Sequence, residues 1–265
     1  MPTNSPALYY RGFPAYGSSP DVERITTAAL TSNLVTLTTA ANHGQTAVGM
    51  IVAVQGVGAS YDGIYAVHSF PALNQFTYVK TAANITSASV TPNGSAIFNT
   101  LSTGGSLASN GVNNGVATIT TGASHGLVVG DVVCVNTGTT GTDIAAALVI
   151  AVPSATTFQF NSSTATVAST ALTQGGWGKY PAVYTLPADA DAVITNLVLT
   201  NGDLLNPSSF TVTSGNVALV SNLVVPSNSM VNVDLKSLMV TTGNTIVVAA
   251  TRPSSQATIS GMTVV

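Results

Sequence analysis

The sequence predicts an all-β protein: two tandem small β-barrel-like repeats followed by a jelly-roll or immunoglobulin-like β-sandwich. Three observations predict it. Charged residues make up only 6% of the chain and hydrophobic ones 45%, so Thr, Ser, Asn and Gly must supply the polar surface, and these favour sheets and turns over helices. Two internal segments lie on one another almost without gaps. The last third is a series of apolar runs punctuated by Pro, Gly, Asn and Asp clusters.

Residues 1–28 are rich in Pro, Gly and Tyr and lack periodicity, which predicts an extended N-terminal arm that orders against a partner. Ser19-Pro20-Asp21 could cap a short helix within it. Tyr9, Tyr10 and Phe13 are its candidate interface residues.

The first small β-domain is predicted over 29–98 and its copy over 112–174, joined by a Gly/Ser/Thr-rich linker, 99–111. Val35 to Gly44 aligns on Ala117 to Gly126, and after a one-residue gap Val48 to Val54 aligns on Val129 to Val135. Pro71 and Phe76-Thr77-Tyr78 then match Pro153 and Phe158-Gln159-Phe160. Each copy reads as a strand ending in Thr-Thr, a turn at His43-Gly44 or His125-Gly126, and a strand entered at Gly49 or Gly130. A third strand follows (64–69; 147–152), then a fourth with alternating aromatics. So many short strands avoid an open edge most simply by closing into a barrel.

Gly175-Gly176-Trp177-Gly178 reads as a hinge, with Trp177, the sole tryptophan, packing an interdomain or intersubunit seam. Over 179–265 seven strands are predicted: 182–186, 192–200, 209–213, 217–225, 230–235, 245–251 and 257–265. Met230 to Leu235 alternates cleanly, whereas Ile194 to Leu199 is apolar on both faces and so predicts a third layer from another domain or subunit.

Few residues suggest chemistry. Gly122-Ala123-Ser124-His125-Gly126 satisfies G-x-S-x-G, but that motif needs a helix after the serine. A strand pattern follows instead, and the first copy, Ala40-Ala41-Asn42-His43-Gly44, lacks the serine. His43, His68 and His125 show no metal-ligand spacing. Asp189, Asp191, Asn201 and Asp203 could donate oxygens to calcium but lack the dense carboxylates of a dedicated site. Cys134, the single cysteine, reads as a small buried hydrophobe. The expectation is a non-enzyme without catalytic, metal or cofactor residues. Net charge is −3 with six scattered basic residues, which argues against nucleic-acid binding, and neither a signal peptide nor a transmembrane helix is predicted.

The pattern of Thr120, Thr121, His125, Gly126, Leu127, Gly130 and Asp131, with Thr156 to Phe160 downstream, resembles small β-modules of bacteriophage tail and other virion proteins. The first copy departs from it at Gln45 and Met50. The segments Tyr184 to Ala188 and Val193 to Leu199 are similar to a β-sandwich of phage tail or capsid-associated proteins. The resemblance implies a virion structural protein, in the tail or its tip or fibres, whose partners are copies of itself and other virion proteins. Capsid decoration or a head fibre is the alternative, and a carbohydrate-binding adhesin for a host glycan a third reading.

Overall fold

The computed structural model describes residues 4–12, 21–139, 141–181, 184–185, 191–215, 217–241, 244–252 and 255–264. Every regular element among them is a strand. The chain divides into two compact units, one formed by 16–180 and the other by 1–15 together with 181–265. The 16–180 unit therefore interrupts the second unit between its first and second strands.

The first strand, β1 (Asn4–Gly12), belongs to the outer unit. In the inner unit, a first lobe contains β2 (Asp21–Thr31), β3 (Leu34–Thr39), β4 (Ile51–Gln55), β5 (Gly63–Ala66), β6 (Ser69–Ala72), β7 (Gln75–Val79) and β8 (Ile85–Asn99). They form one antiparallel sheet, ordered β5-β4-β8-β2-β3-β7-β6, which curls into a half-barrel. Its end strands are consecutive in the chain, and the two residues between them still bond across, Val67 N–H to Met50 O (2.9 Å) and His68 N–H to Thr77 O (2.7 Å).

A second lobe contains β9 (Thr103–Asn113), β10 (Val116–Thr121), β11 (Val132–Asn136), β12 (Ile144–Ser154), β13 (Thr157–Asn161), β14 (Val167–Ala171) and β15 (Gly176–Lys179). Here the ring β10-β13-β12-β11-β15-β9 closes through β9 and β10 into a six-stranded barrel, with β14 added along β9. Closure is possible because β12 pairs β11 with its first half and β13 with its second. Inward alternation fills each lobe: Val35, Leu37, Phe76, Tyr78 and Phe98 in the first, Ala117, Ile119, Phe158, Phe160 and Trp177 in the second.

The lobes meet almost backbone to backbone. A methyl group on Gly104 would stand 2.1 Å from the carbonyl oxygen of Trp177 and 2.5 Å from that of Gly49, and one on Gly178 would stand 2.3 Å from the Gly49 carbonyl. Only glycine permits such an approach. Around this seam Asn136 Oδ1 accepts the Ala66 N–H at 2.7 Å, Ser102 Oγ accepts the Ile51 N–H at 2.9 Å, and His68 Nδ1 accepts the Gly175 N–H at 3.1 Å. Consequently Ile51 to Val54 and Val132 to Val135 are buried on both faces of their strands.

Three expectations are corrected by these packings. The supposed linker, 99–111, is largely β9, and the supposed hinge, 175–178, is largely β15; their glycines serve close approach, not flexibility. The N-terminal segment 1–28 is not one arm, since 4–12 is paired in the outer unit and 21–28 belongs to β2. Ser19, Pro20 and Phe13 lie outside the described residues.

The outer unit continues with β16 (Tyr184–Thr185), β17 (Asp191–Asn201), β18 (Ser208–Ser214), β19 (Val217–Val225), β20 (Ser229–Val240), β21 (Thr245–Ala250) and β22 (Ser255–Val264). These match the seven expected strands in order, and β1 adds an eighth. They form two four-stranded antiparallel sheets, β1-β22-β17-β20 and β16-β21-β18-β19. Ile194, Leu197, Leu199 and Ile259 of the first sheet share one apolar cluster with Phe210, Val212, Ile246 and Val248 of the second. The predicted alternation from Met230 to Leu235 is present, with Met230, Asn232 and Asp234 exposed.

Because backbone atoms, not movable side chains, surround Gly104, Gly104→Ala is expected to destabilise the inner unit by about 2 kcal/mol or more. The midpoint of urea unfolding, followed by Trp177 fluorescence, measures it.

Candidate functional site

The residues expected at the repeat turns form two near-identical hydrogen-bonded corners. At the first, Thr39 Oγ1 donates to Ala41 O (2.6 Å), the His43 N–H donates to Leu73 O (3.1 Å), and His43 Nδ1 accepts the Gln45 N–H (3.1 Å). At the second, Thr121 Oγ1 donates to Ala123 O (2.6 Å), the His125 N–H donates to Ala155 O (3.0 Å), and His125 Nδ1 accepts the Leu127 N–H (2.9 Å). Gly44 and Gly126 follow with φ of 67° and 63°, the left-handed conformation in which glycine is unstrained. Gly49 and Gly130 then donate to Val67 O and Val149 O, starting the next strands.

With Nδ1 accepting, a neutral ring carries its proton on Nε2. His43 uses it toward Gln75 O at 3.2 Å, whereas His125 Nε2 has no hydrogen-bond partner and its ring stands edge-on to Phe158 and Trp177. These histidines brace turns. Neither His125 nitrogen is aimed to accept a proton from Ser124, and no helix follows that serine: the chain passes through a turn into β11. Asp131, which aligns in sequence with the buried Met50, accepts the Val128 N–H at 2.8 Å and pairs with Lys179 at 2.7 Å.

Trp177 places its indole in the second lobe's core and its carbonyl on the glycine seam. Tyr9 and Tyr10 lie on β1, opposite Ser260 and Ile259 of β22. His68 is held between β5 and β6 against Gly175. Among the described residues no group of three or more His, Cys, Asp or Glu could hold a metal, and no helix is long and apolar enough to cross a membrane.

Two loops that sequence reading passed over are organised by a carboxylate. Asp62 Oδ1 accepts the N–H groups of Val57 and Gly58, and Asp143 Oδ1 those of Thr137 and Gly138. The signal was available as Gly56 to Asp62 beside Thr137 to Asp143. Burial raises the Asp143 carboxyl despite these donors. Burial, with Asp143 nearby, also pushes the Cys134 thiol up, out of the range of a reactive thiolate.

In the outer unit Asn201 and Asp203, weighed and set aside as calcium ligands, serve backbone groups. Asn201, fully buried, donates to Asn206 O, Val225 O and Pro226 O. Asp203 is spent on its own loop, its Oδ1 accepting the Leu205 and Asn206 N–H groups at 2.9 and 3.0 Å. Burial alone would raise this carboxyl, but those donors, the Asn206 side chain and Arg252 outweigh it and hold it below the usual value. Asp189 lies outside the described residues, and Asp191 begins β17.

No known family model matches the chain, and no curated protein matches it.

Two outcomes are expected. Cys134 stays unmodified by a thiol-specific reagent in the folded protein and reacts fully in denaturant, as a colorimetric thiol assay would show. The Asp203 contribution, belonging to a depressed carboxylate, is present above about pH 4 and lost as pH falls through the folded-state value. The stability difference between wild type and Asp203→Asn in urea should therefore shrink between pH 7 and pH 3.

Proposed function

We propose that the protein is a non-enzymatic structural component of a bacteriophage virion, in the tail, acting through rigid β-units that assemble with copies of themselves and with other virion proteins. The observation that carries this reading is the strand order of the outer unit. Along the chain its strands pass from one sheet to the other at every connection except the β18–β19 hairpin. That order favours a jelly roll over an immunoglobulin-like sandwich, and jelly rolls are recurrent in viral shells.

The inner unit supports the reading in another way. The paired corners at His43 and His125, the paired loops at Asp62 and Asp143, and equivalent pairings such as β3 with β7 and β10 with β13 favour two copies of one module. This matches the virion-module resemblance at Thr120 to Asp131. A charge-poor chain also fits a surface destined for contact, since Lys and Glu are depleted in interfaces.

Because shells are where jelly rolls recur, the strand order also favours a second reading, decoration of the capsid or a head fibre. The host-glycan reading has less support, because Phe76, Tyr78, Phe158 and Phe160 are core residues with no face to offer a sugar.

Purified particles labelled with gold-conjugated antibody should carry gold on the tail. Gold on the head would select the second reading, and particles without label and without the chain by mass spectrometry would overturn both.

A further inference from the structure

We propose that the outward face of the sheet β1-β22-β17-β20 is a self-association surface, occupied by the same face of a second copy. The backbone register aligns Met239, Val193 and Met262 in one row across three neighbouring strands, continued on β1 at the position of Ala7. Their inward neighbours, Ile194 among them, belong to the core, so this row points away from it. Met239 is 65% exposed and Met262 42%. Apart from Asp191 at one end, the two central strands, β17 and β22, carry no charged residue.

The symmetry of the face favours a second copy as its occupant. A two-fold axis running along the strands would lay β22 on the second copy's β17 and β1 on its β20. Each row would then cover itself: Met262 meets Val193 of the second copy, and apolar atoms meet apolar atoms. Methionine suits such a contact because its unbranched side chain adapts to an imperfect partner. Apart from Asp191 at the end of β17, charge lies on the edge strands, with Arg11 on β1 and Asp234 and Lys236 on β20. The axis brings these two edges together, giving a mixed-sign rim around a neutral centre, the usual anatomy of a protein interface.

Area sets the strength. Four strands about 4.8 Å apart, followed for seven residues at about 3.4 Å each, give on the order of 450 Å² per copy. The total, about 900 Å², falls below the roughly 1,200 Å² of stable complexes. Free protein should therefore associate weakly, and strongly only where other contacts hold copies at high local concentration. The inference deepens the assembly reading and rests on it only in supposing that copies meet; particle labelling and self-association can fail independently.

Sedimentation velocity of the full chain from about 10 μM to about 1 mM tests it, this range spanning weak dissociation constants. Wild type is expected to shift from monomer toward dimer. Met239→Lys/Met262→Lys, at exposed positions and with an unchanged melting temperature, should weaken the dissociation constant at least about tenfold, equivalent to 1.4 kcal/mol. Leu204→Ser/Leu205→Ser, altering a different exposed apolar pair, should leave it unchanged. A wild type monomeric throughout, association undiminished by the methionine pair, or equal loss in the leucine pair would overturn the proposal.

Discussion

The inner unit depends on how closely two polypeptide backbones can approach at Gly49, Gly104 and Gly178. Side chains do not mediate this contact; their absence does. Once Gly104 and Gly178 sit against the Gly49 carbonyl, Ile51 and Ala53 of one lobe and Val132 and Cys134 of the other lose all access to water. A buried N–H of β5 is then left needing an acceptor, which Asn136 supplies across the seam. The burial of Cys134, whose Sγ lies against Ile64 O of the other lobe, is a further result of the same closeness.

The sequence announced these features unevenly. Alternation made the strands of the outer unit legible, because their two faces meet different surroundings, as in Met230 to Leu235. Turns with left-handed glycines and a histidine brace were legible for a similar reason: local geometry restricts local residue choice. Long-range contacts were not. Gly104 and Gly105 look like linker residues unless Trp177 is known to lie against them, and β1 looks like an arm unless its partner, at the opposite end of the sequence, is known. One long-range feature does leave a local trace: the unbroken apolar runs Ile51 to Val54 and Val132 to Val135 report strands buried on both faces.

Polar chemistry in this chain is turned inward. Asp62, Asp143 and Asp203 each spend a carboxylate on amides of their own loops, His43 and His125 spend a ring nitrogen on a turn, and Asn201 spends its amide on three carbonyls. With only nine acidic and six basic residues, such use leaves few groups for chemistry on a ligand. It also braces those loops through hydrogen bonds to their own backbone. A candidate site was accordingly hard to read from sequence, because residue types that elsewhere signal catalysis here satisfy backbone.

The pairing of β1 with β22 has a mechanical consequence. Asn4 stands opposite Val264, while the chain between them contains the whole inner unit. A load applied across these two positions would be borne by the β1–β22 ladder, opened one rung after another from its end, before any tension reached residues 16–180. The inner unit is thus in parallel with that ladder, as slack rope is with a taut one, and both lobes remain unstrained until the clasp gives way.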